Sequence, residues 1–294
     1  MKKHLNNFVF KFGGTSVKDA TRIKEIYRII DNFKAPLSIV VSAVAGITDL
    51  LQAFIDNPSH TQIKKKIIKI HLQIAEDLDF DIKNINNYSH FISNELEKLN
   101  PDSGLEKENT VILSLGERLI AKLISQYLQI QNIDSVYCNA KNLIQTDSSW
   151  LEANVNYSVS YQLISKKINP LLRKNIIPII TGFIGSNPTG DLTLLGRNSS
   201  DFSASIVARS LNSKELWIWT DVDGLFTCDP KDSNNAQFIK EISFKEVTES
   251  YFEAKIIHPK TLIPLIDSFT IVRIKNIYKP FLSGTLIHQE LVQN

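Results

Sequence analysis

The 294-residue sequence contains two cysteines, one methionine and no long uncharged apolar run. Cys138 and Cys228 lie far apart and match no metal-ligand spacing, so neither a disulfide framework nor a zinc site organises the chain; a reduced, cytoplasmic setting is expected. No stretch is long enough to span a bilayer, which argues against a membrane role. The start, MKKHLNNFVFKFGG, is basic but has no signal-peptide core. Charge of one sign is also missing. A net charge of +2 gives no basic stripe for nucleic acid. The densest cationic run, Lys64–Lys66 with Lys69, alternates with isoleucines at helical spacing and reads as a solvated helix face. No internal repeat or low-complexity linker is visible.

What remains is an ordinary globular composition, 43% hydrophobic and 22% charged, arranged as alternating strands and helices. FVFKF (residues 8–12), PLSIVVSA (36–43), DSVYCNA (134–140), IIPIITGFIG (176–185), ELWIWTD (215–221) and FTIVRIKN (269–276) have strand character. Helical periodicity is expected after Asp19, over 48–56, 61–78, 88–99 and 111–128, and near 155–173, 200–211, 243–253 and 259–267. This rhythm specifies an α/β fold, a mostly parallel open sheet with helices on both faces. One domain over residues 1–294 is expected. It has an N-terminal lobe to about 175 that carries a helical excursion at 50–110, and a C-terminal lobe from about 176.

Ligands in such sheets sit beyond the carboxyl ends of the strands. Polar clusters recur there. Lys11 closes a buried strand and is followed by Gly13-Gly14, which bares the backbone, and by the hydroxyls of Thr15 and Ser16, a cradle suited to phosphate. It is not a P-loop, whose lysine follows the glycines. SAVAGIT (42–48) is a second small-residue turn, fit either for an anion or for close helix–sheet packing. LSLGERL places Glu117 and Arg118 in or beside a helix. Alone, that pattern more often marks a surface ion pair than a carboxylate awaiting an ammonium. LLGRNSSD offers Arg197 as a planar fork for a carboxylate, Asn198, Ser199 and Ser200 as donors, and Asp201 as a further polar or capping group. IWTDVDG ends a strand in Thr220, Asp221 and Asp223, oxygens suited to a nucleotide and its Mg²⁺. Lys255 lies in an apolar setting before His258-Pro259. Together these clusters point to phosphoryl transfer from ATP to a small anionic acceptor.

KFGGTSV, LSLGERL, TGFIG, LGRNSSD, IWTDVDGLFTCDP and AKIIHPKTL, in this order, resemble the successive signatures of aspartokinases in the amino acid kinase superfamily. The likeness runs to SGTLI at 283–287 and is strongest to the kinase half of bifunctional aspartokinase/homoserine dehydrogenases. It implies catalytic roles for Lys11, Lys255 and Asp201. It implies an aspartate pocket of Ser42, Thr48, Glu117, Arg197, Asn198, Ser199 and Ser200, with Arg197 on the α-carboxylate and Glu117 near the ammonium. A nucleotide site of Lys11, Phe12, Gly13, Gly14, Thr220, Asp221, Phe226, Lys231, Lys255 and Ile256 is implied too. ATP would bring its own Mg²⁺, with no dedicated protein metal site. A homodimer is implied, and a separate downstream enzyme is a possible partner.

Four positions depart from the family. Ser199 replaces a glycine where a positive φ is expected, and Phe226 replaces a tyrosine. Lys231 replaces an arginine, and Glu253 a glycine. Family members continue past GTLI into regulatory ACT domains, whereas only HQELVQN follows here, so feedback through an attached domain is not expected. Two alternatives stand beside aspartate kinase. One is another amino acid kinase. The other is an impaired paralogue that binds without turnover.

Overall fold

The computed structural model describes residues 6–59, 61–99, 101, 104–228, 235–249 and 257–289. In chain order its strands are β1 (Phe8–Phe12), β2 (Leu37–Val41), β3 (Ser135–Cys138), β4 (Ile177–Thr181), β5 (Ile184–Ser186) and β6 (Leu192–Leu194). They continue as β7 (Glu215–Thr220), β8 (Leu225–Phe226), β9 (Phe238–Ile239), β10 (Glu241–Ser243), β11 (Ile271–Asn276) and β12 (Thr285–His288). The helices are α1 (Ala20–Asp31), α2 (Ile47–Asp56), α3 (Thr61–Asp77), α4 (Ile82–Glu97), α5 (Glu106–Leu113), α6 (Leu115–Ile130), α7 (Tyr157–Arg173), α8 (Ser200–Leu211) and α9 (Phe244–Glu249).

Eight strands form one sheet in the order β10-β12-β11-β7-β1-β2-β4-β3. The six from β11 to β3 are parallel, while β12 runs antiparallel to β11 and carries β10 on its outer edge. The first strand in sequence is thus central in space. All five of its residues are buried, and the two-residue period splits them between faces. Phe8, Phe10 and Phe12 share one face. There Phe10 stacks on Trp217 at 4.6 Å and Phe12 on Trp219 at 6.0 Å, their direct cross-strand neighbours. Phe33, just past α1, closes this cluster against Phe8 and Phe10. Tyr27 of α1 meets Tyr127 of α6, so these two helices lie on the same side. Val9 and Lys11 point to the opposite face, which α8 covers.

Most expected elements are present, α8 with its predicted bounds. Asp19 caps α1, accepting from the Arg22 amide at 2.9 Å. Differences have local causes. The helix expected at 88 begins at Ile82, because Asp81 caps it through the Asn84 amide. The helix expected over 111–128 is two helices that meet at Ser114. The one expected over 259–267 is a pair of 3₁₀ turns, Pro259–Thr261 and Ile263–Leu265, since Pro264 lacks the N–H that an α-helix needs there. Strands β5 and β6 form a short hairpin that the sequence pattern did not announce. Of the helix expected over 243–253, α9 is seen and residues 250–253 lie outside the described residues. Among the described residues, no helix is long and apolar enough to cross a membrane.

The aromatic ladder makes a direct prediction. Phe10 is fully buried, so Phe10→Ala should lower the free energy of unfolding by about 3–5 kcal/mol. Urea denaturation measures it; a loss below ~1 kcal/mol would show that the ladder does not carry the sheet centre.

Candidate active site

The alternation of β1 decides where Lys11 goes. Its side chain leaves the α8 face of the sheet at the carboxyl end of the central strand. There its Nζ lies 2.7 Å from Oδ1 of Asp201, with both side chains largely buried. Asp201 sits in the first turn of α8, where backbone N–H groups also favour a negative charge. An ammonium has three donors, so one carboxylate can hold Lys11 in place and still leave it able to meet a second anion.

The two small-residue turns form one surface. Ser42 donates its amide to Phe12 O at 3.1 Å, and Ala45 donates to Gly14 O at 3.3 Å. A Cβ on Gly14 would approach Ala43 O to 2.8 Å. Gly14 is therefore required by loop–loop contact, which accounts for the small residues of the 42–48 turn as close packing. Gly13 borders the lysine, since a Cβ there would come 3.4 Å from the ammonium. Of the two hydroxyls expected in the cradle, Thr15 is exposed. Ser16 is instead buried and donates to Trp219 O at 3.3 Å, which fastens the loop to β7. The ring of Phe12 is likewise buried against Trp219, leaving only its backbone at the loop.

Glu117 overturns the surface-pair expectation. It is only 4% exposed, in the first turn of α6, and its Oε1 accepts from the Ala43 amide at 3.1 Å. Its other oxygen is buried with no hydrogen-bond partner among the described residues. Burial pushes the carboxyl up to about 8, against the opposing pull of the Ala43 amide, its own amide and the Lys11 charge. A carboxyl poised this way gains most from an incoming cation, because the cation restores the charged form. Arg118 is buried too and pairs with Glu95 of α4.

The 195–199 loop is shaped by left-handed backbone at Gly196 (φ +92°) and Asn198 (φ +60°). Ser199 has φ −87°. The expectation of a positive φ at Ser199 is therefore corrected: the conformation falls to its neighbours, and a side chain at 199 carries no backbone strain. Ser199 and Ser200 are buried, and the Ser199 hydroxyl has no hydrogen-bond partner among the described residues. Ser199 occupies the N-cap position of α8, yet no side chain makes a cap hydrogen bond there. Arg197 is 72% exposed and reaches across to Asp49 of α2 at 3.2 Å. Ser42 and Thr48, both half-buried, belong to the same loop and helix start as Asp49. Asp49 was missed in the sequence; its one signal is an acidic residue in a helix first turn. Lys260 was missed as well. Its ammonium donates to Leu195 O at 3.1 Å and lies over the Phe202 ring, pinning the base of the Arg197 loop.

At the end of β7, the Thr220 hydroxyl donates to exposed Asp221 at 3.2 Å. Oxygens so placed fit a magnesium-bearing phosphate chain. Asp223 does not share this freedom. It accepts from Asn276 at 2.6 Å and Lys279 at 2.7 Å, which hold its carboxyl below the usual range. Phe226 packs edge-on against Phe238. Lys231, Glu253, Lys255 and Ile256 lie outside the described residues.

Comparison with known proteins adds the following. Residues 6–276 match the amino acid kinase family. The chain is 34% identical to the aspartokinase of Chlamydia muridarum over 95% of its length, which is 63% of that protein. It is 33% identical to the bifunctional aspartokinase/homoserine dehydrogenase of Buchnera aphidicola over 96% of its length, 36% of that protein. Among solved structures it resembles Escherichia coli aspartokinase III in complex with aspartate and ADP. The TM-score is 0.88 at 28% identity, over 97% of this chain and 65% of that one. The chain thus spans between about a third and two thirds of the length of these relatives.

The buried Glu117 makes a pH prediction. Its folded carboxyl titrates near 8 against an ordinary 4.5. The stability it contributes is therefore full below about 4.5 and is lost as pH rises through about 8. Glu117→Gln has no proton to lose, so urea unfolding at several pH values should show the variant gaining on the wild type as pH rises. A difference constant with pH contradicts this assignment.

Proposed function

The chain belongs to the amino acid kinase family, and from that premise we propose that it is an aspartate kinase. It would transfer the terminal phosphoryl group of ATP to the β-carboxylate of L-aspartate. The observation that carries this reading is the pairing of Lys11 with Asp201 at the end of the central strand, with the buried Glu117 within reach of the Lys11 charge and Arg197 extended toward Asp49. Escherichia coli aspartokinase III, which this chain resembles, holds aspartate and ADP, and that points the same way.

In this reading a β-carboxylate oxygen of aspartate attacks the terminal phosphorus. The bond from that phosphorus to the bridging oxygen of ADP breaks, leaving 4-phospho-L-aspartate. A carboxylate is already a nucleophile, so no general base is needed; the work is alignment and charge stabilisation. Lys11, held by Asp201, meets charge growing on the transferring group. Glu117 takes the substrate ammonium and Arg197 exchanges Asp49 for the α-carboxylate, while Ser42, Thr48, Asn198, Ser199 and Ser200 complete the pocket. Thr220, Asp221, Phe226 and the Gly13–Gly14 backbone would face the nucleotide, and the family resemblance adds Lys231, Lys255 and Ile256 there. Mg²⁺ arriving with ATP supplies charge neutralisation on the phosphates.

The proposed setting is cytoplasmic, as the first step toward lysine, threonine and methionine. A homodimer is proposed, with a separate enzyme consuming the labile acyl phosphate. ADP release by the purified chain tests the reading. Turnover with L-aspartate supports it, turnover only with another acceptor replaces it with a different amino acid kinase, and binding without turnover makes the chain a non-catalytic paralogue. Lys11→Ala should lower kcat by roughly 10²–10³-fold, the ~2.7–4 kcal/mol of one preorganised donor, with a far smaller effect on aspartate KM. A near-normal kcat would remove Lys11 from the transition state.

A further inference from the structure

We propose that Arg118 and Glu95 form a positioning pair that sets Glu117 in the substrate pocket by fixing the break between α5 and α6. The proposal rests on the reading of Glu117 as the ammonium site. Helices α5 and α6 are separated by Ser114 alone. In an unbroken helix the Val111 carbonyl would accept from the amide of Leu115. Here it accepts instead from the Ser114 hydroxyl at 2.8 Å and from Nη2 of Arg118 at 2.9 Å. The Nε of the same guanidinium donates to Ser114 O at 3.4 Å, and its Nη1 pairs with Glu95 of α4. One side chain thus engages a carbonyl of α5, the carbonyl at the break and a carboxylate of the helical excursion. Both charged groups are nearly buried. Lys98, largely exposed, balances the other oxygen of Glu95 at 2.6 Å.

What the break achieves is visible two residues on. It brings the Gly116 backbone so close to Ala43 that a Cβ there would lie 2.6 Å from the Ala43 Cβ. That approach lets Oε1 of Glu117 accept from the Ala43 amide. The line from Glu95 through Arg118 to the Ser114 break ends on the loop that holds Ser42 and Thr48. A planar fork with several fixed donors can bridge three acceptors around such a break, whereas an ammonium on a flexible stem cannot hold the same geometry. The described contacts of the Arg118 guanidinium are to Val111, Ser114 and Glu95, so it acts through Glu117.

An ordinary buried ion pair would lower stability without singling out one substrate, so the test separates substrates. Steady-state kinetics of Glu95→Gln and Arg118→Lys in the full chain should show aspartate KM raised roughly tenfold to a hundredfold, with ATP KM within about twofold of wild type. Equal changes in both KM values, or lower thermal stability with unchanged aspartate KM, overturn the proposal. Glu95→Gln preserves side-chain shape and covers the case in which Arg118→Lys does not fold. Hydrogen–deuterium exchange gives a readout that does not need activity. Faster exchange at the Ala43 and Arg118 amides, with β11 and β12 unchanged, supports the pair even if the wild type fails to phosphorylate aspartate, in which case only the functional reading falls. Unchanged exchange, or uniformly faster exchange, overturns the pair itself.

Discussion

The ion pair between Lys11 and Asp201 is the constraint on which the site depends. A lysine on a fully buried strand is costly to desolvate unless a counter-charge waits for it, and Asp201 meets it at 2.7 Å. To do so, α8 must start over the carboxyl end of β1, and β1 must lie at the centre of the sheet. The aromatic ladder of Phe10, Phe12, Trp217 and Trp219 secures the second condition from the opposite face. The layers on either side of β1 therefore serve one requirement, a fixed cation at the strand ends.

Around this pair the pocket is assembled by close backbone approach more than by long side chains. The turn after β1 presses on the turn after β2, and that turn presses on the start of α6. Glu117 enters from the α6 side of the sheet, where it feels the Lys11 charge, and Asp201 pairs with Lys11 from the α8 side. The helical excursion is not an ornament on this arrangement. The start of α2, which leads into it, supplies Asp49 to Arg197, and its α4 supplies Glu95 to Arg118.

The parts legible in the sequence were those governed by period and local chemistry. β1, α1 with its Asp19 cap, α8 and the polar strand ends all follow from spacing and capping residues. Burial of a charge was not legible. GER read alone favours an exposed pair, and only tertiary packing shows that Glu117 and Arg118 both go inside. Pairings distant in sequence, such as Arg197 with Asp49 or Lys260 with Leu195 O, leave no local signal. The Ser199 substitution looked hazardous because the loop was expected to place its left-handed residue there, while the chain puts it at Gly196 and Asn198. At Phe226 an aromatic contact with Phe238 stands where a tyrosine would add a hydroxyl.

The most direct test of the central claim compares nucleotides by calorimetry. Wild-type chain should bind a non-hydrolysable ATP analogue more tightly than ADP, and Lys11→Met should lose most of that preference while its affinity for ADP changes little. An unaltered preference in the variant would contradict the account, because the cation on β1 would then have no part in holding the terminal phosphate.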